Sequence, residues 1–257
     1  MKKKFPPDLT ILMPVRNEGV NIPIMLKILN AVIDVRCEIL IIYDNANDDT
    51  VPAVKKLKSS YPFVCLVRNN LGKGVVNALK SGIREAQGKY LLIFAVDEIG
   101  PILAISDMIK LMNEGCDLVS CTRYAYGGRR LGGSFIQGLL SKLGNTLFRI
   151  ISGTSLTDST TGIKMFRKDI FNIINLQSKP IGWAVVFEIA VKAQAAGLKL
   201  GEVPIISIDR LYGGKSTFNL GPWIKEYIRW FIWGIVRLHS YKKKKKHQIR
   251  IPASTAY

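Results

Sequence analysis

The chain is short of acidic residues, cysteine, histidine and long apolar runs. Against 37 Lys and Arg stand only 19 Asp and Glu, a formal net charge of +18 over 257 residues. That imbalance calls for an anionic partner: nucleic acid, acidic lipid headgroups or nucleotide phosphates. Part of the charge sits at the ends, in Lys2 to Lys4 and Lys242 to Lys246. Four cysteines occur, Cys37, Cys65, Cys116 and Cys121, all in or beside apolar strand-like runs. With no C-x-x-C pair and no histidine cluster they argue for buried, reduced thiols in a cytoplasmic protein and against a zinc site. No window of about 18 uncharged apolar residues exists, so no bilayer-spanning helix is expected. Lys2 to Lys4 lead into Phe-Pro-Pro-Asp, which does not read as a signal peptide. What the chain does have is 48% hydrophobic residues, enough to bury a core in one large domain, with or without an appendage.

Two phosphate-binding fingerprints are also missing. The turn Arg68-Asn69-Asn70-Leu71-Gly72-Lys73-Gly74 enters a helix and offers backbone N–H groups and Lys73 to a phosphate or base, but Asn77 stands where the dinucleotide motif needs its third glycine. Gly213-Gly214-Lys215-Ser216 resembles a P-loop ending, yet Asp209 occupies the position of the first glycine. Hydride-transfer and ATPase readings lose their support.

Short apolar runs alternate with helical spacing, which predicts βαβ units and a mostly parallel sheet. The strand candidates are Leu9 to Val15, Glu38 to Tyr43, Phe63 to Val67, Tyr90 to Val96 and Asp117 to Thr122. Helices are expected over Asn21 to Ile33, Thr50 to Ser59, Gly74 to Ala86 and Leu103 to Asn113. Further on, a Gly- and Arg-rich loop around Gly127 to Gly133 leads to a helix from Phe135 to about Ile151. A short strand (Gly162 to Phe166), a helix (Gly182 to Ala196) and a strand (Glu202 to Ile208) follow. No internal repeat or linker divides this part from the first, so it reads as an extension of the same domain.

Polar clusters fall just after several of these strands. Pro14-Val15-Arg16-Asn17-Glu18 follows the first, Asp44-Asn45-Ala46-Asn47-Asp48-Asp49-Thr50 the second, and Asp97-Glu98 the apolar run that begins at Tyr90. Ligands in open α/β sheets bind outside the carboxyl ends of the strands. These groups are therefore placed to line one crevice, where carboxylates accept from base and ribose and a divalent cation offsets a diphosphate. For Asp48 and Asp49 a turn-and-cap role stands beside the functional one.

The order Pro-x-Arg-Asn-Glu, Asp-Asn-x-x-Asp-Asp-Thr, Asn-x-Gly-x-Gly-x-x-x-Ala, Asp-Glu, Arg-Tyr, Asp-x-x-Thr-Gly, Glu-Val-Pro and Arg-x-x-Gly-Gly-Lys-Ser resembles the family 2 glycosyltransferases. Within them it is most similar to the polyprenyl-phosphate sugar synthases, dolichol-phosphate mannose synthase among them. The likeness runs from Leu9 to Phe218. It implies an α/β GT-A type fold, a mostly parallel central sheet with helices on both faces. It also implies a hexosyltransferase that moves a sugar from a nucleotide-diphosphate sugar to a polyprenyl phosphate or other lipid-linked acceptor, inverting the anomeric carbon.

Carried over by position, Pro14, Asn17 and Glu18 match the family's nucleotide segment, Asp44 matches the first acid of its Asp-Asp pair, and Asn45 replaces the second. Lys73 joins them as a nucleotide contact. Asp97 aligns with the last acid of an Asp-x-Asp metal motif whose first position holds Ala95, so Mg²⁺ or Mn²⁺ would rest on Asp97 and Glu98 with a weakened shell. Arg123 and one of Arg129 and Arg130 are expected near the acceptor phosphate. Asp158, Thr161 and Gly162 match a stretch beside the sugar. Arg210 and Lys215 belong to a closing segment in which Lys and Ser are exchanged. The catalytic set expected on this basis is Asp97, Asp158, Arg123, Arg210 and Lys215. A phosphate acceptor needs no strong base; for a hydroxyl acceptor, Asp158 or Glu188 is the candidate.

Residues 1–220 are read as the transferase domain, 221–241 as an amphipathic aromatic helix and 242–257 as a basic tail. Trp223 to Tyr241 holds three Trp, two Tyr and one Phe. With the lysine run behind it, the segment suits a membrane interface. The competing role is a helix that docks on the sheet or on a second copy, so a homo-oligomer stays open. The expected location is cytoplasmic, peripheral to the inner face of a membrane. The alternative function is a non-catalytic nucleotide-sugar-binding or membrane-binding protein with a degenerate metal motif. Nucleic acid is not expected as a partner, because aromatics and basic residues are not interleaved on a sheet face.

Overall fold

The computed structural model describes residues 6–132, 135–208, 220–242 and 249–253. The first half follows the expected alternation: β1 (Leu9–Val15), α1 (Ile22–Val32), β2 (Cys37–Tyr43), α2 (Thr50–Leu57), β3 (Val64–Arg68), α3 (Val75–Glu85), β4 (Tyr90–Ile93), then a 3-10 turn (Gly100–Ala104) and α4 (Ile105–Asn113). The second half holds β5 (Leu118–Thr122), β6 (Arg129–Leu131), α5 (Phe135–Ser152), β7 (Lys164–Arg167), α6 (Ala184–Ala195), β8 (Leu200–Pro204), β9 (Ile206–Ile208) and α7 (Leu220–Lys242).

Seven strands form one sheet in the order β3-β2-β1-β4-β7-β5-β8, in which only β7 runs antiparallel to its neighbours. The central strands are apolar at nearly every position because both faces are covered. Ile11, Met13, Ile39, Ile41 and Leu92 point into a core shared with α1, α2 and α4. Their chain neighbours Leu12, Leu40, Ile42, Leu91 and Ile93 point into the opposite core, with α3 and α6. Helix α6 is buried almost all round because it lies between two layers. Val185, Val186, Ile189, Ala190 and Ala193 meet the sheet, while Ala184, Phe187 and Val191 meet Phe148 of α5 and Trp230 and Leu238 of α7.

Four local departures from the sequence reading have physical causes. The strand expected to reach Val96 stops at Ile93; one further backbone bond, Phe94 N to Leu12 O at 3.0 Å, precedes the turn that carries Asp97. The strand expected over Glu202 to Ile208 breaks after Pro204, and its last part pairs with Arg129–Leu131 in a separate parallel ribbon. The Gly- and Arg-rich loop thus contains a strand. Cys65 is exposed rather than buried, because it faces outward on the edge strand β3. Finally, the basic tail is not all tail: Arg250 bridges Gly201, and Glu202 N donates to Arg250 O at 2.9 Å, along the outer edge of β8.

Candidate active site

β4 and β5 both pair antiparallel to β7, so their carboxyl ends face the same way as those of β1 and β2. The chain winds outward from β1 to β3 and then crosses to β4 on the other side of β1. The crevice between β1 and β4 is therefore the topological switch point, where ligands bind in such sheets. Asn17 and Glu18 follow β1, Asp44 and Asn45 follow β2, Asp97 and Glu98 follow β4, and Arg123 follows β5.

Hydrogen bonds from the loop after β2 hold the loop after β1. Asp48 Oδ2 accepts from Asn17 N at 3.1 Å, Thr50 Oγ1 from Glu18 N at 2.9 Å, and Asp49 Oδ1 from Gly19 N at 2.8 Å. Asp48 and Asp49 are thus committed to holding the neighbouring loop; Asp48 Oδ1 also accepts from Thr50 N at 2.9 Å, a turn role, whereas Asp49 stands at the N-cap of α2 without a side-chain capping bond. Asn17 takes a left-handed backbone, φ 56°, which asparagine tolerates better than most side chains. Exposed Asn45 closes a local turn, accepting from Asn47 N at 3.0 Å.

Asp44 joins that loop to the next. Its Oδ1 accepts from Asn69 Nδ2 at 2.6 Å and its Oδ2 from Gly74 N at 3.0 Å. Buried Asn69 also bonds Gly72 O, Leu71 N and Ser81 Oγ, so the turn carrying exposed Lys73 is fixed from within. Gly74 has φ 116°, and a Cβ there would lie 2.4 Å from Pro180 O; no other residue fits. The 3-10 turn after Asp97 shows the same close approach, since a Cβ on Gly100 would meet Ile206 O at 1.7 Å. That contact seats the β6–β9 ribbon over the Asp97–Glu98 turn.

The second half brings charge to the crevice in a different manner. Arg123 is clamped by Asp158, with Nε to Oδ2 at 2.7 Å and Nη2 to Oδ1 at 3.0 Å, and Nη2 also donates to Thr160 Oγ1 at 3.2 Å. Burial works against the Arg123 charge, but the Asp158 carboxylate and its hydrogen bonds outweigh it and raise the guanidinium pKa, with Glu98 adding to the field. Asp158 is fully buried and, despite that burial, is held below the usual carboxylate range by Arg123. A carboxylate so committed anchors Arg123, with both of its oxygens accepting from the guanidinium. Glu188 is likewise an anchor: fully buried, it accepts from Gln177 N, Ser178 N and Lys192 Nζ.

The Asp158 loop is pinned along its length. Gln194 accepts from Thr154 Oγ1 and Ser155 N, Glu202 accepts from Thr157 and Asp158, and Asn145 accepts from Ser159 N at 2.9 Å. Glu202 and Lys164 are buried beside the Arg123–Asp158 pair, making a cluster of two positive and two negative side chains. Burial pushes Glu202 up to about 7 and Lys164 down to about 8, in each case against hydrogen bonds or opposite charges that favour the ion. Sequence reading missed both as site components. The Glu-Val-Pro triplet was visible, but a lone acid in a strand gives no sign of its partner.

Of the other expected residues, Arg130 lies against Gly138 of α5 and within electrostatic reach of Tyr124, whereas Arg129 is exposed. Half-buried Pro14 is the penultimate residue of β1. Thr161 is buried and its N–H donates to Asp158 Oδ1 at 3.1 Å; Gly162 faces the Trp183 ring. Arg210 and Lys215 lie outside the described residues. Beside the clamp a cavity of about 430 Å³ is lined by Tyr124, Lys142, Thr146, Arg149, Thr154 and Thr157. Among the described residues no three His, Cys, Asp or Glu side chains gather as a metal site. Asp97 and Glu98, both half-buried, offer a partial shell of the kind Mg²⁺ completes with water and substrate phosphates.

Comparison with known proteins accords with this geometry. A dolichol-phosphate mannosyltransferase of Pyrococcus furiosus is 28% identical over 229 residues, 86% of this chain; the chain spans only 64% of that protein's length. A polyprenol monophosphomannose synthase of Mycolicibacterium smegmatis is 24% identical over 79% of this chain and 78% of its own. Among solved structures, glucosyl-3-phosphoglycerate synthase from Mycobacterium tuberculosis, in complex with Mn²⁺, UDP and glucosyl-3-phosphoglycerate, superposes with TM-score 0.67 at 15% identity, covering 90% of this chain and 80% of that one. The same enzyme with Mg²⁺ and UDP gives 0.66. The fold is the GT-A type that the sequence motifs implied. The model of the family described as glycosyl transferase family 2 matches residues 10–174, and the chain belongs to that family.

Proposed function

We propose that the protein transfers a sugar from a nucleotide-diphosphate sugar to a polyprenyl phosphate at a membrane surface, inverting the anomeric carbon. The observation that carries this reading is the Arg123–Asp158 clamp. It holds a guanidinium at the carboxyl edge of the sheet with Nε and Nη2 committed, while Nη1 meets no acceptor among the described residues and is the nitrogen proposed to meet a phosphate. An Arg fork suits a phosphate in both charge and geometry. Asn17, Glu18, Asp44 and Lys73 border the nucleotide side of the same crevice, and Arg130 joins Arg123 on the acceptor side. Both curated relatives are named for mannosyl transfer to a polyprenyl-type acceptor, which supports this acceptor class.

Displacement at an anomeric carbon requires a neutralised leaving diphosphate and an acceptor oxygen held in line. Mg²⁺ or Mn²⁺ bound through Asp97 and Glu98 would supply positive charge at the diphosphate. Arg123 orients the acceptor phosphate, whose oxygen is already anionic at neutral pH, so no side chain has to remove a proton. Asp158 keeps Arg123 charged and fixed.

The membrane face is proposed from α5 and α7, which pack together through Phe148 and Phe231, ring centroids 5.2 Å apart. Each leaves an apolar stripe in solvent: Leu139, Leu143, Leu147 and Ile150 on α5, and Ile224, Ile228, Ile232 and Val236 on α7. Exposed Lys225, Arg229 and Arg237 accompany the second stripe. Such a surface suits anionic lipid. Among the described residues no helix is long and apolar enough to cross a membrane.

The test is a panel of nucleotide-diphosphate sugars offered with polyprenyl phosphate in anionic vesicles, with and without Mg²⁺ or Mn²⁺. Release of nucleoside diphosphate that requires the acceptor is the expected result, and anomeric NMR of the product reads inversion. Donor binding without release across the panel would instead favour a binding protein with a degenerate metal motif.

A further inference from the structure

We propose that Glu202 is the positioning residue of the Arg123 clamp, holding both the Asp158 loop and the backbone beside Arg123 through a directed set of hydrogen bonds. The inference rests on Arg123 being the phosphate-binding group proposed above.

Glu202 is fully buried on β8. Its Oε1 accepts from Thr157 N at 2.7 Å and from Asp158 N at 3.1 Å, so it fixes the residue that grips Arg123. Its Oε2 accepts from Thr157 Oγ1 at 2.9 Å. That hydroxyl has one proton, and with the proton spent on Glu202 the 2.6 Å contact between Thr157 and Thr122 must be donated by Thr122. Thr122 Oγ1 in turn accepts from Tyr124 N at 3.2 Å. One carboxylate thus orders the chain Tyr124 N–H, Thr122 O–H, Thr157 O–H, and its two branches arrive on either side of Arg123. Glu202 itself is held by its backbone bond to the returning segment at Arg250.

Position and charge are separated by two substitutions. Glu202→Gln keeps an oxygen for both backbone N–H groups and only reverses the hydroxyl chain; Glu202→Asp keeps the charge but withdraws it by one methylene. If Glu202 positions Arg123, Glu202→Gln should retain kcat within about fivefold of wild type and Glu202→Asp should lose on the order of 50-fold, with KM for the donor little changed. In an Arg123→Gln background Glu202→Asp should add nothing, since its effect passes through Arg123. The Arg123 Nε–H, bonded to Asp158 Oδ2 and read by NMR in the full chain, should stay protected in Glu202→Gln and exchange faster in Glu202→Asp. That signal tests the positioning even if no sugar transfer is found, which would instead sink the functional reading. Wild-type kcat in Glu202→Asp, full additivity with Arg123→Gln, or an unchanged Nε–H signal in Glu202→Asp would each overturn the proposal.

Discussion

Asp44 and Arg123 stand at the carboxyl ends of two parallel strands of one sheet, yet they are held in opposite ways. Asp44 is half-buried, and its hydrogen bonds to Asn69 and Gly74 shape a surface turn. Arg123 is clustered with the buried Asp158, Lys164 and Glu202, its own side chain 16% exposed against a fully buried Asp158. Each hydrogen bond at such a half-exposed carboxylate contributes only about 1 kcal/mol, because water can replace it. A buried ion pair cannot be rearranged without leaving a charge unpaired, which costs several kcal/mol. The first half thus holds its loops by replaceable hydrogen bonds, and the second fixes one guanidinium by a counter-ion it cannot lose cheaply.

The sharpest way to break that contrast is Asp158→Asn. It keeps the shape of the side chain but strands Arg123 without its counter-ion. We expect a stability loss of about 3–5 kcal/mol and a fall in transfer of at least about a thousandfold. The matching change on the other side, Asp44→Asn, should lower stability by only about 1 kcal/mol. Chemical denaturation of both variants checks the contrast, and equal losses would erase it.

The same cluster sets a pH dependence. Glu202 titrates near 7 in the fold against about 4.5 in the unfolded chain. Between those values the folded form retains a proton that the unfolded form has released, so stability falls as pH rises through the window, by on the order of 3 kcal/mol. Lys164, held near 8 against about 10.5, acts in the opposite sense. Between 8 and 10.5 the unfolded chain keeps the proton, and stability recovers as pH rises. Denaturation midpoints measured from pH 4.5 to 10.5 should dip between 7 and 8. Glu202→Gln should flatten the acid limb and Lys164→Met the alkaline limb; a dip that survives both variants would locate it elsewhere.

Asp97→Asn sharpens the comparison from the recognition side. Asp97 is half-buried and, among the described residues, no buried ion pair depends on it, so kcat should fall about a hundredfold while stability changes by less than about 0.5 kcal/mol. An unchanged rate at saturating Mg²⁺ would remove Asp97 from the mechanism.

These differences also decide how much could be read from sequence. β1 to β3 are apolar runs bounded by polar turns, and their ends lie within a residue or so of expectation because strand length and turn chemistry are local properties. Asp97 and Arg123 are legible for the same reason, since Arg123 directly follows β5 and Asp97 lies in the turn a few residues after β4. The support of Arg123 is not, because Asp158 reaches it across 35 residues of chain, and Glu202 reaches Asp158 and Thr157 across a further 44 and 45, all through tertiary bonds. The split of Glu202 to Ile208 into two strands, with its second part pairing to Arg129–Leu131, is equally non-local. So is the return of Ile249 and Arg250 to the sheet, hidden behind a lysine run that reads as solvated tail.

Helix α7 carries both kinds of surface on one element, which gives the most direct comparison. Trp230 is 1% exposed and packs on α5 and α6, whereas Ile228 and Ile232, one turn apart, are 49% and 56% exposed. Trp230→Ala should cost about 3–5 kcal/mol of stability. Replacing Ile228 and Ile232 together by Ser should leave stability within about 0.5 kcal/mol but weaken binding to anionic vesicles about tenfold, because two exposed side chains lose their apolar contact with lipid. Sedimentation with vesicles containing acidic lipid, compared with neutral ones, separates apolar insertion from charge attraction. If the double variant binds as well as wild type, the stripe is not the docking surface and the basic residues act alone.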